Sequence, residues 1–282
     1  MKKYFSLIKF SHTVFAMPFA FIGFFLASKT YDFEWITLIY VILCMIFARS
    51  SAMAFNRYID RKIDSQNVRT ANVREIPNGS ISPNNALIFV ILNSILFITI
   101  TYFINSLCFA LSPVALLIIL GYSYTKRFTS LCHIILGLGL ALAPIGAYLA
   151  VSGEFNITPI LFSLAVLFWV SGFDIIYSLQ DERFDKSQKL HSFPVLLGGK
   201  KALNLSKILH LFVILILSQI PNYFNFGNIY WIGFIIFSAL LIYQHTLVKH
   251  NDLSKVNLAF FTLNGFASII FGTIIIIDLT MI

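Results

Sequence analysis

The chain has 282 residues, of which 58% are apolar and 11% are charged, and its mean hydropathy is +0.84. Ordinary soluble proteins contain about 45–50% apolar residues, so this composition excludes a soluble domain with a normal polar surface. The net charge of +8 comes from basic residues grouped in a few polar segments, and we attribute it to membrane topology and not to binding of nucleic acid.

Nine apolar segments follow one another and predict an all-α integral membrane bundle that forms a single domain over residues 1–282. A helix needs about 20 apolar residues to cross a bilayer. The basic start of the chain resembles a signal peptide, but further apolar segments follow it instead of a soluble domain, so we expect it to be retained. The predicted spans are residues 12–28, 35–56, 86–105, 107–123, 131–151, 158–180, 202–220, 228–248 and 258–278.

The basic residues predict the orientation of this bundle. All but two of the 20 Lys and Arg residues lie on one side of a nine-span arrangement, whereas Lys29 lies on the other side and Arg49 lies within span 2. The positive-inside rule then places the N-terminus in the cytoplasm and the C-terminus outside, with a bacterial inner membrane as the simplest location. Two long cytoplasmic loops over a central cavity, roughly 57–85 and 181–201, are expected to carry the functional surface.

Span 2 ends in a stripe of oxygen-bearing side chains. Residues four apart share one face of a helix, so Asn56, Asp60 and Asp64 are expected to lie in a line. An ordinary solvated helix end is the alternative interpretation of a single stripe of this kind.

Span 6 ends in a second acidic stripe, which makes that alternative less attractive. Asp174, Asp181 and Asp185 lie within roughly 20° of a common line at 3.6 residues per turn, and Tyr177 stands among them. Both spans run towards the cytoplasm, and each is followed by a polar loop containing proline and glycine. The two regions therefore suggest a weak parallel internal repeat around spans 2 and 6.

Four carboxylates that face one another repel unless a cation lies between them. Mg²⁺ fits this place, because it uses one or two protein carboxylates and completes its octahedron with water and phosphate oxygens. We therefore expect a diphosphate that is held through the metal, with Arg74 as a further basic neighbour. The predicted metal ligands are Asp60, Asp64, Asp181 and Asp185, and the predicted diphosphate-binding residues are Asn56, Arg61, Arg69, Lys126 and Arg127.

These motifs resemble the UbiA superfamily of intramembrane prenyltransferases, and the resemblance covers nearly the whole chain. The chain is most similar to the 4-hydroxybenzoate polyprenyltransferase branch, although one residue is inserted between Arg69-Thr70 and Arg74. The segments that carry the resemblance are Ile8 to Phe21 (IKFSHTVFAMPFAF), Asn56 to Gly79, Tyr122 to Arg127 (YSYTKR), Gly172 to Pro194 and Asn264-Gly265.

The resemblance implies a central cavity that opens laterally to lipid, in which a polyprenyl group passes from a magnesium-bound diphosphate to a ring carbon of an aromatic acid. The expected acceptor is 4-hydroxybenzoate, for quinone biosynthesis. A dihydroxynaphthoate-type acceptor for menaquinone, or a ring such as homogentisate, is the alternative within the family. Aromatic faces stabilise an allylic cation, and Tyr124 and Tyr177 are the predicted residues for this role.

Two charged side chains lie deep in predicted spans, where an ionisable residue is a functional candidate by default. Asp174 is predicted to orient or deprotonate the phenol of the acceptor, and a structural acid is the alternative. Arg49 is predicted to bind the carboxylate of the acceptor, and an internal ion pair with Asp174 is the alternative. His12 is a second candidate for the acceptor pocket, with an interfacial position as its alternative.

Two proteins of other classes also combine a membrane bundle with acidic residues. A phosphotransferase that uses CDP-activated head groups would have one long acidic signature with glycine and arginine, whereas these acids lie on two distant spans. A cation-coupled transporter would have its charges near the midplane between broken helices, whereas these carboxylates lie at one face beside basic loops. Turnover that depends on prenyl diphosphate distinguishes both from a prenyltransferase.

Overall fold

The computed structural model describes residues 2–8 and 15–282, and these ranges are helical throughout with short connections and without a β-strand. A π-helical segment, Leu258–Leu263, leads directly into the last helix. The helices are α1 (Lys2–Leu7), α2 (Met17–Ala27), α3 (Trp35–Gln66), α4 (Pro83–Ile104), α5 (Ser106–Thr125), α6 (Cys132–Ser152), α7 (Ile157–Ser178), α8 (Glu182–Ser187), α9 (Phe193–Leu197), α10 (Gly199–Gln219), α11 (Asn228–Leu247) and α12 (Asn264–Met281).

Eight helical segments of the described ranges are long and apolar enough to cross a membrane, which confirms the predicted all-α membrane bundle. They contain α3 to α7 and α10 to α12. The first predicted span corresponds to α2, which has 11 residues, and part of that span lies in 9–14, outside the described residues. The count of nine spans therefore stays a prediction.

Asparagine and serine side chains determine where several helices begin. The Asn105 side chain accepts a hydrogen bond from the Cys108 backbone N–H at 2.8 Å, and its amide group donates to the Leu149 carbonyl at 2.8 Å. The extended backbone at Asn105 separates α4 from α5, where the sequence offered only Asn105 and Ser106 as a boundary. Ser82 caps α4 in the same way by accepting from Asn85, with Pro83 in the first turn.

The predicted loop 57–85 is partly wrong, because α3 continues to Gln66. A helix of 32 residues is about 48 Å long, which exceeds the roughly 30 Å hydrocarbon core of a bilayer. Its polar end therefore projects beyond the apolar part of the bundle. The acidic stripe of span 2 lies on this rigid extension, and only residues 67–82 form the connection to α4.

The predicted regular helix through Asp185 is also wrong. After Ser178 the chain tightens into a 3₁₀ turn, Leu179–Asp181, and α8 follows from Glu182 to Ser187. The second predicted loop therefore contains secondary structure, namely this turn, α8 and α9. The acids of span 6 nevertheless share one environment, because Asp174, Asp181 and Asp185 line the same cavity.

Close packing between α6 and α7 holds the centre of the bundle together. A Cβ atom added at Gly137 on α6 would overlap Ser171 Oγ and the Leu167 carbonyl on α7, so only glycine allows this approach. Ser171 Oγ in turn donates to the His133 carbonyl at 3.2 Å. These contacts fix the beginning of α6 against the second half of α7.

The apolar side chains follow the pattern expected for a protein in lipid. A buried aromatic cluster, with Phe19 and Trp169 at 5.3 Å between ring centroids, joins α2, α7, α11 and α12. Large apolar side chains such as Trp35, Leu117 and Ile235 remain exposed on the outside of the bundle. A soluble protein would not tolerate so much exposed apolar surface, which agrees with a lipid environment.

Candidate active site

A polar cavity of about 560 Å³ lies at the end of the bundle to which α3, α5 and α7 run. Its walls also include the segment after α3, the beginning of α6 and the π-helical segment before α12. Nine of the residues predicted from sequence line it: Arg49, Asn56, Asp60, Arg69, Lys126, Asp174, Tyr177, Asp181 and Asp185. The two distant acidic stripes therefore meet, as predicted.

Asp60 is tied to the end of α5. Its side chain is buried and forms ion pairs with Lys126 Nζ at 2.5 Å and with Arg127 Nη2 at 2.9 Å. The amide group of Asn56, one turn earlier, donates to Asp60 Oδ2 at 3.4 Å. Two cations and an amide thus neutralise a carboxylate that would be costly to bury alone.

Asp64 is neutralised by the segment that follows α3. It forms an ion pair with Arg74, and Thr70 Oγ1 donates to the Asp64 carbonyl at 2.8 Å. Arg74 and Thr70 line the polar cavity, whereas Asp64 is buried directly behind them. The residue inserted before Arg74 therefore does not remove this arginine from the site.

Asp181 is held by Arg69 and Asn67. Arg69 Nε donates to Asp181 Oδ1 at 3.0 Å, Arg69 Nη2 pairs with Oδ2, and the Asn67 amide donates at 3.1 Å. Burial alone disfavours the charged guanidinium, but its hydrogen bonds to Asp181 outweigh burial and raise the pKa of Arg69. Arg69 is therefore a permanently charged bridge between the segment after α3 and the end of α7.

Tyr177 faces an aromatic wall formed by the π-helical segment. Its ring stacks on Phe260 with centroids 4.1 Å apart and meets Phe261 edge-on at 5.6 Å, and its hydroxyl accepts from Arg69 Nη1 at 2.9 Å. A π-helical segment is a frequent feature of functional sites. Here Asn264 fixes it by donating to the Ala259 carbonyl at 3.0 Å.

Asp174 has a partner that the sequence analysis did not identify. His133 Nδ1 lies 2.7 Å from Asp174 Oδ2, so an imidazole and not Arg49 neighbours this acid. The proposed internal ion pair between Arg49 and Asp174 is therefore wrong. Among the described residues Arg49 makes no ion pair, and its buried Nε has no hydrogen-bond partner.

An apolar cavity of about 380 Å³ lies between α3, α4, α5 and α6, next to the polar cavity. The two cavities share Arg49, Met53, Tyr122, Leu136 and Leu140 as lining residues. The guanidinium of Arg49 thus lies at the junction between a polar and an apolar compartment. A molecule with a charged head and an apolar tail fits such a pair of compartments.

Four predicted residues of the described structure do not line the polar cavity, namely Asp64, Arg127, Arg61 and Tyr124. Helical geometry directs Arg61 and Tyr124 away from it. Arg61 is one position, or about 100°, past Asp60, and it folds back to donate to the Tyr58 carbonyl at 2.6 Å. Tyr124 is 45% exposed and contacts Phe55 instead. Neither predicted role has a supporting contact in the described structure.

Two further predictions have other outcomes. Arg127 stands just behind the lining and reaches the site through its bond to Asp60. His12 lies outside the described residues.

Several lining residues were missed from sequence. Tyr122 lies four positions before Lys126 and therefore on the same helix face, so the spacing rule that found the acids would also have found it. His133, Phe260 and Phe261 come from elements distant in sequence, and no local pattern marks them.

The described residues contain no group of three or more His, Cys, Asp or Glu side chains that could hold a metal ion. Two acids of the polar cavity, Asp60 and Asp181, are paired with lysine or arginine, and Asp174 contacts His133. Asp185 and Glu75, which also line the cavity, make no ion pair with a described residue. Mg²⁺ still fits this donor set, because it needs only one or two carboxylates when a phosphate supplies the other oxygens. The arrangement suits a magnesium diphosphate better than a bare ion.

The fold and the two cavities define an integral membrane protein that can place a charged group beside an apolar compartment. The sequence pattern of the UbiA prenyltransferase family matches residues 16–266, and the chain therefore belongs to this family.

Individual relatives agree with this assignment. A 4-hydroxybenzoate octaprenyltransferase from Vesicomyosocius okutanii subsp. Calyptogena okutanii is 32% identical over 228 residues, which are 81% of this chain and 82% of that protein. The apo structure of a UbiA homologue from Aeropyrum pernix K1 superposes with a TM-score of 0.85 at 31% identity, covering 95% of this chain and 98% of that one.

The fold also matches a UbiA homologue from Archaeoglobus fulgidus that was solved bound to DMAPP and Mg²⁺. The TM-score is 0.74 at 20% identity, covering 99% of this chain and 100% of that one.

Proposed function

We propose that this prenyltransferase transfers a polyprenyl group from polyprenyl diphosphate to a ring carbon of an aromatic acid, with Mg²⁺ as cofactor. The expected acceptor is 4-hydroxybenzoate, and the product is a precursor of ubiquinone. The observation that carries the proposal is the pair of adjoining cavities with Arg49 at their junction, where it makes no ion pair with a described residue. The name of the relative from Vesicomyosocius okutanii supports the choice of acceptor.

The polar cavity binds the diphosphate. Asp60, Asp181 and Asp185 offer carboxylate oxygens to Mg²⁺ in this cavity, with Asp64 behind them. These acids would hold Mg²⁺, and its positive charge would offset the negative charge on the departing diphosphate. The cations that pair with these acids at rest turn to the phosphate oxygens when substrate binds; they are Arg69, Arg74, Lys126 and Arg127.

The prenyl chain occupies the apolar cavity, and its allylic carbon lies near the aromatic wall. Tyr177 and Phe260 present ring faces and edges that stabilise positive charge on the allylic fragment without capturing it. Tyr124 is not part of this wall. Its role is limited to holding Arg127 in position, since the Arg127 guanidinium carbon lies 5.7 Å from the Tyr124 ring centroid.

The acceptor binds between Arg49 and Asp174. Arg49 receives the carboxylate of the acid, because bidentate hydrogen bonds match a guanidinium to a planar carboxylate. Asp174 accepts a hydrogen bond from the phenol and increases electron density on the ring carbon that is attacked. His12 remains a proposed neighbour of this pocket.

The proposed location is a bacterial inner membrane with a cytoplasmic N-terminus and a cytoplasmic active site. Basic residues concentrate at the end of the bundle that carries the polar cavity, as the positive-inside rule requires of a cytoplasmic face. The acids of α3 and α7 lie at this same end, which suits a single domain with a parallel internal repeat.

The decisive experiment measures product formation in membranes that contain the protein, Mg²⁺, a radiolabelled long-chain prenyl diphosphate and 4-hydroxybenzoate. Asp60→Asn and EDTA are each expected to abolish the labelled product. Asp252→Asn is the matched control, because Asp252 is an exposed acid of the loop before α12. Product with a dihydroxynaphthoate but not with 4-hydroxybenzoate would replace the acceptor, and no product with any aromatic acid would refute the proposed function.

A further inference from the structure

His133 lies between Asp174, in the candidate acceptor site, and Phe193, at the start of α9. It lies in the first turn of α6 and is 3% exposed. Its Nδ1 is 2.7 Å from Asp174 Oδ2 on α7, and its Nε2 is 3.3 Å from the backbone nitrogen of Phe193 at the start of α9. Both ring nitrogens are therefore in use.

These two contacts determine where the proton of the imidazole lies. The Phe193 N–H can only donate, so Nε2 must present its lone pair to it. In a neutral ring the proton then resides on Nδ1 and points at Asp174. A proton added at Nε2 would face the Phe193 N–H and break that bond, so this ring is poorly suited to carry protons through the site.

The surroundings hold the ring in this orientation from several sides. The imidazole stacks on the Phe193 ring with centroids 5.6 Å apart and an angle of 21° between the planes. Ser171 Oγ donates to the His133 carbonyl, and the His191 N–H donates to the Lys126 carbonyl at 2.7 Å. The end of α5, the beginning of α6 and the segment before α9 thus form one connected support.

Asp174, the partner of His133, has one carboxylate oxygen available for a ligand. The Asp174 side chain is 22% exposed and lines the polar cavity. Its Oδ2 is used by His133, whereas Oδ1 receives no hydrogen bond from a described residue. A carboxylate fixed at one oxygen presents the other in a defined direction, which is the arrangement that orients ligands in other sites.

We propose that His133 is a positioning residue that acts as a neutral Nδ1–H donor, holding Asp174 so that its free oxygen meets the phenol of the aromatic acceptor. The inference rests on the proposed function, because it assigns Asp174 to the acceptor. The hydrogen bond from the Phe193 backbone N–H selects the tautomer. The start of α9 therefore takes part in acceptor binding without touching the acceptor. His133 itself neither contacts substrate nor moves a proton.

Three substitutions separate orientation from packing. His133→Asn keeps an amide donor where Nδ1 lies, His133→Gln places its polar group towards Phe193 instead, and His133→Phe keeps the stacked ring without either bond. We expect the kcat/KM for the acceptor to fall about 10- to 100-fold in the Phe and Gln variants, the range for loss of a hydrogen bond to a charged group. The Asn variant should stay within about threefold of wild type.

The KM for prenyl diphosphate should stay unchanged in all three variants, which also shows that they are folded. His250→Phe, at an exposed histidine, is the matched control. Equal losses in the Asn and Phe variants would mean that His133 serves packing alone, and an unchanged Phe variant would overturn the proposal.

A second measurement tests the inference without turnover. Nitrogen-15 labelling of histidine in the detergent-solubilised protein reports the tautomer of each ring, and the signal lost in His133→Phe identifies the ring in question. A neutral Nδ1–H ring supports the proposal, whereas a neutral Nε2–H ring or an imidazolium overturns it. Wild-type protein without prenyltransferase activity would instead refute the proposed function, so the two failures are distinguishable.

Discussion

Replacing Arg49 by lysine should weaken binding of the aromatic acid and leave the prenyl diphosphate unaffected. In the described structure the guanidinium has no acidic partner, and its buried Nε lacks a hydrogen bond, so no described residue competes for it. A carboxylate in the cavity would supply both missing interactions. Lysine keeps the charge but provides a single point of contact where arginine offers a planar fork.

The size of the effect follows from the bonds that are lost. A hydrogen bond to a charged group contributes about 1.5–3 kcal/mol, and Arg49→Lys removes one of the two bonds of a bidentate pair. We therefore expect the KM of the acceptor to rise roughly 10- to 100-fold. Arg49→Met removes both bonds together with the charge, and its effect should be larger than that of lysine.

Steady-state kinetics with each substrate varied in turn provide the assay. The KM for prenyl diphosphate should change less than about threefold in Arg49→Lys. A phenol without a carboxylate gives a stricter control, because wild type and variant should then use it equally poorly. An unchanged KM for the aromatic acid, or an equal rise for both substrates, would refute the role of Arg49 in acceptor binding.

Three further predictions concern the metal, the aromatic residues and the packing. Mg²⁺ and inorganic pyrophosphate should bind together about tenfold or more tighter than either alone, as measured by calorimetry, and independent binding would contradict the proposed exchange of ion pairs. Tyr124→Leu should retain activity within about threefold because the ring lies off the cavity, whereas loss of turnover would restore its predicted catalytic role. Asn264→Ala should destabilise the protein by about 2–3 kcal/mol, because it leaves the buried Trp169 Nε1–H without its 2.9 Å partner, and an unchanged thermal midpoint in detergent would contradict this.

Local periodicity accounts for much of what the sequence could predict. The spacing of Asn56 and Asp60 directs both to one face of α3, and the structure places both on the cavity. The same rule, applied to α5, favours Tyr122 over Tyr124, since positions 122 and 126 share a face. Tyr124 lies two positions before Lys126, about 200° around the helix, and therefore points away from the face that carries Lys126.

Contacts between distant elements account for what the sequence could not predict. His133 meets Asp174 because Gly137 lets α6 approach α7, and nothing in the spacing of the chain reveals that approach. No sequence signal marks the 3₁₀ turn after Ser178, because neither proline nor glycine occurs between Phe173 and Asp181. Such features depend on which helices pack together, and one sequence does not contain that information in local form.

The ion pairs explain how so many charges can share a cavity beside an apolar compartment. Each of Asp60, Asp64 and Asp181 is paired with at least one arginine or lysine, so the charges of these three carboxylates are compensated at rest. A divalent cation alone would have to displace these partners and leave them unpaired, at a cost of several kcal/mol for each buried charge. A magnesium diphosphate brings a positive partner for the acids and a negative partner for the bases in the same event. We therefore expect the site to bind neither the bare metal nor the bare diphosphate well, and the ion pairs among its own residues to make the binding of one depend on the other.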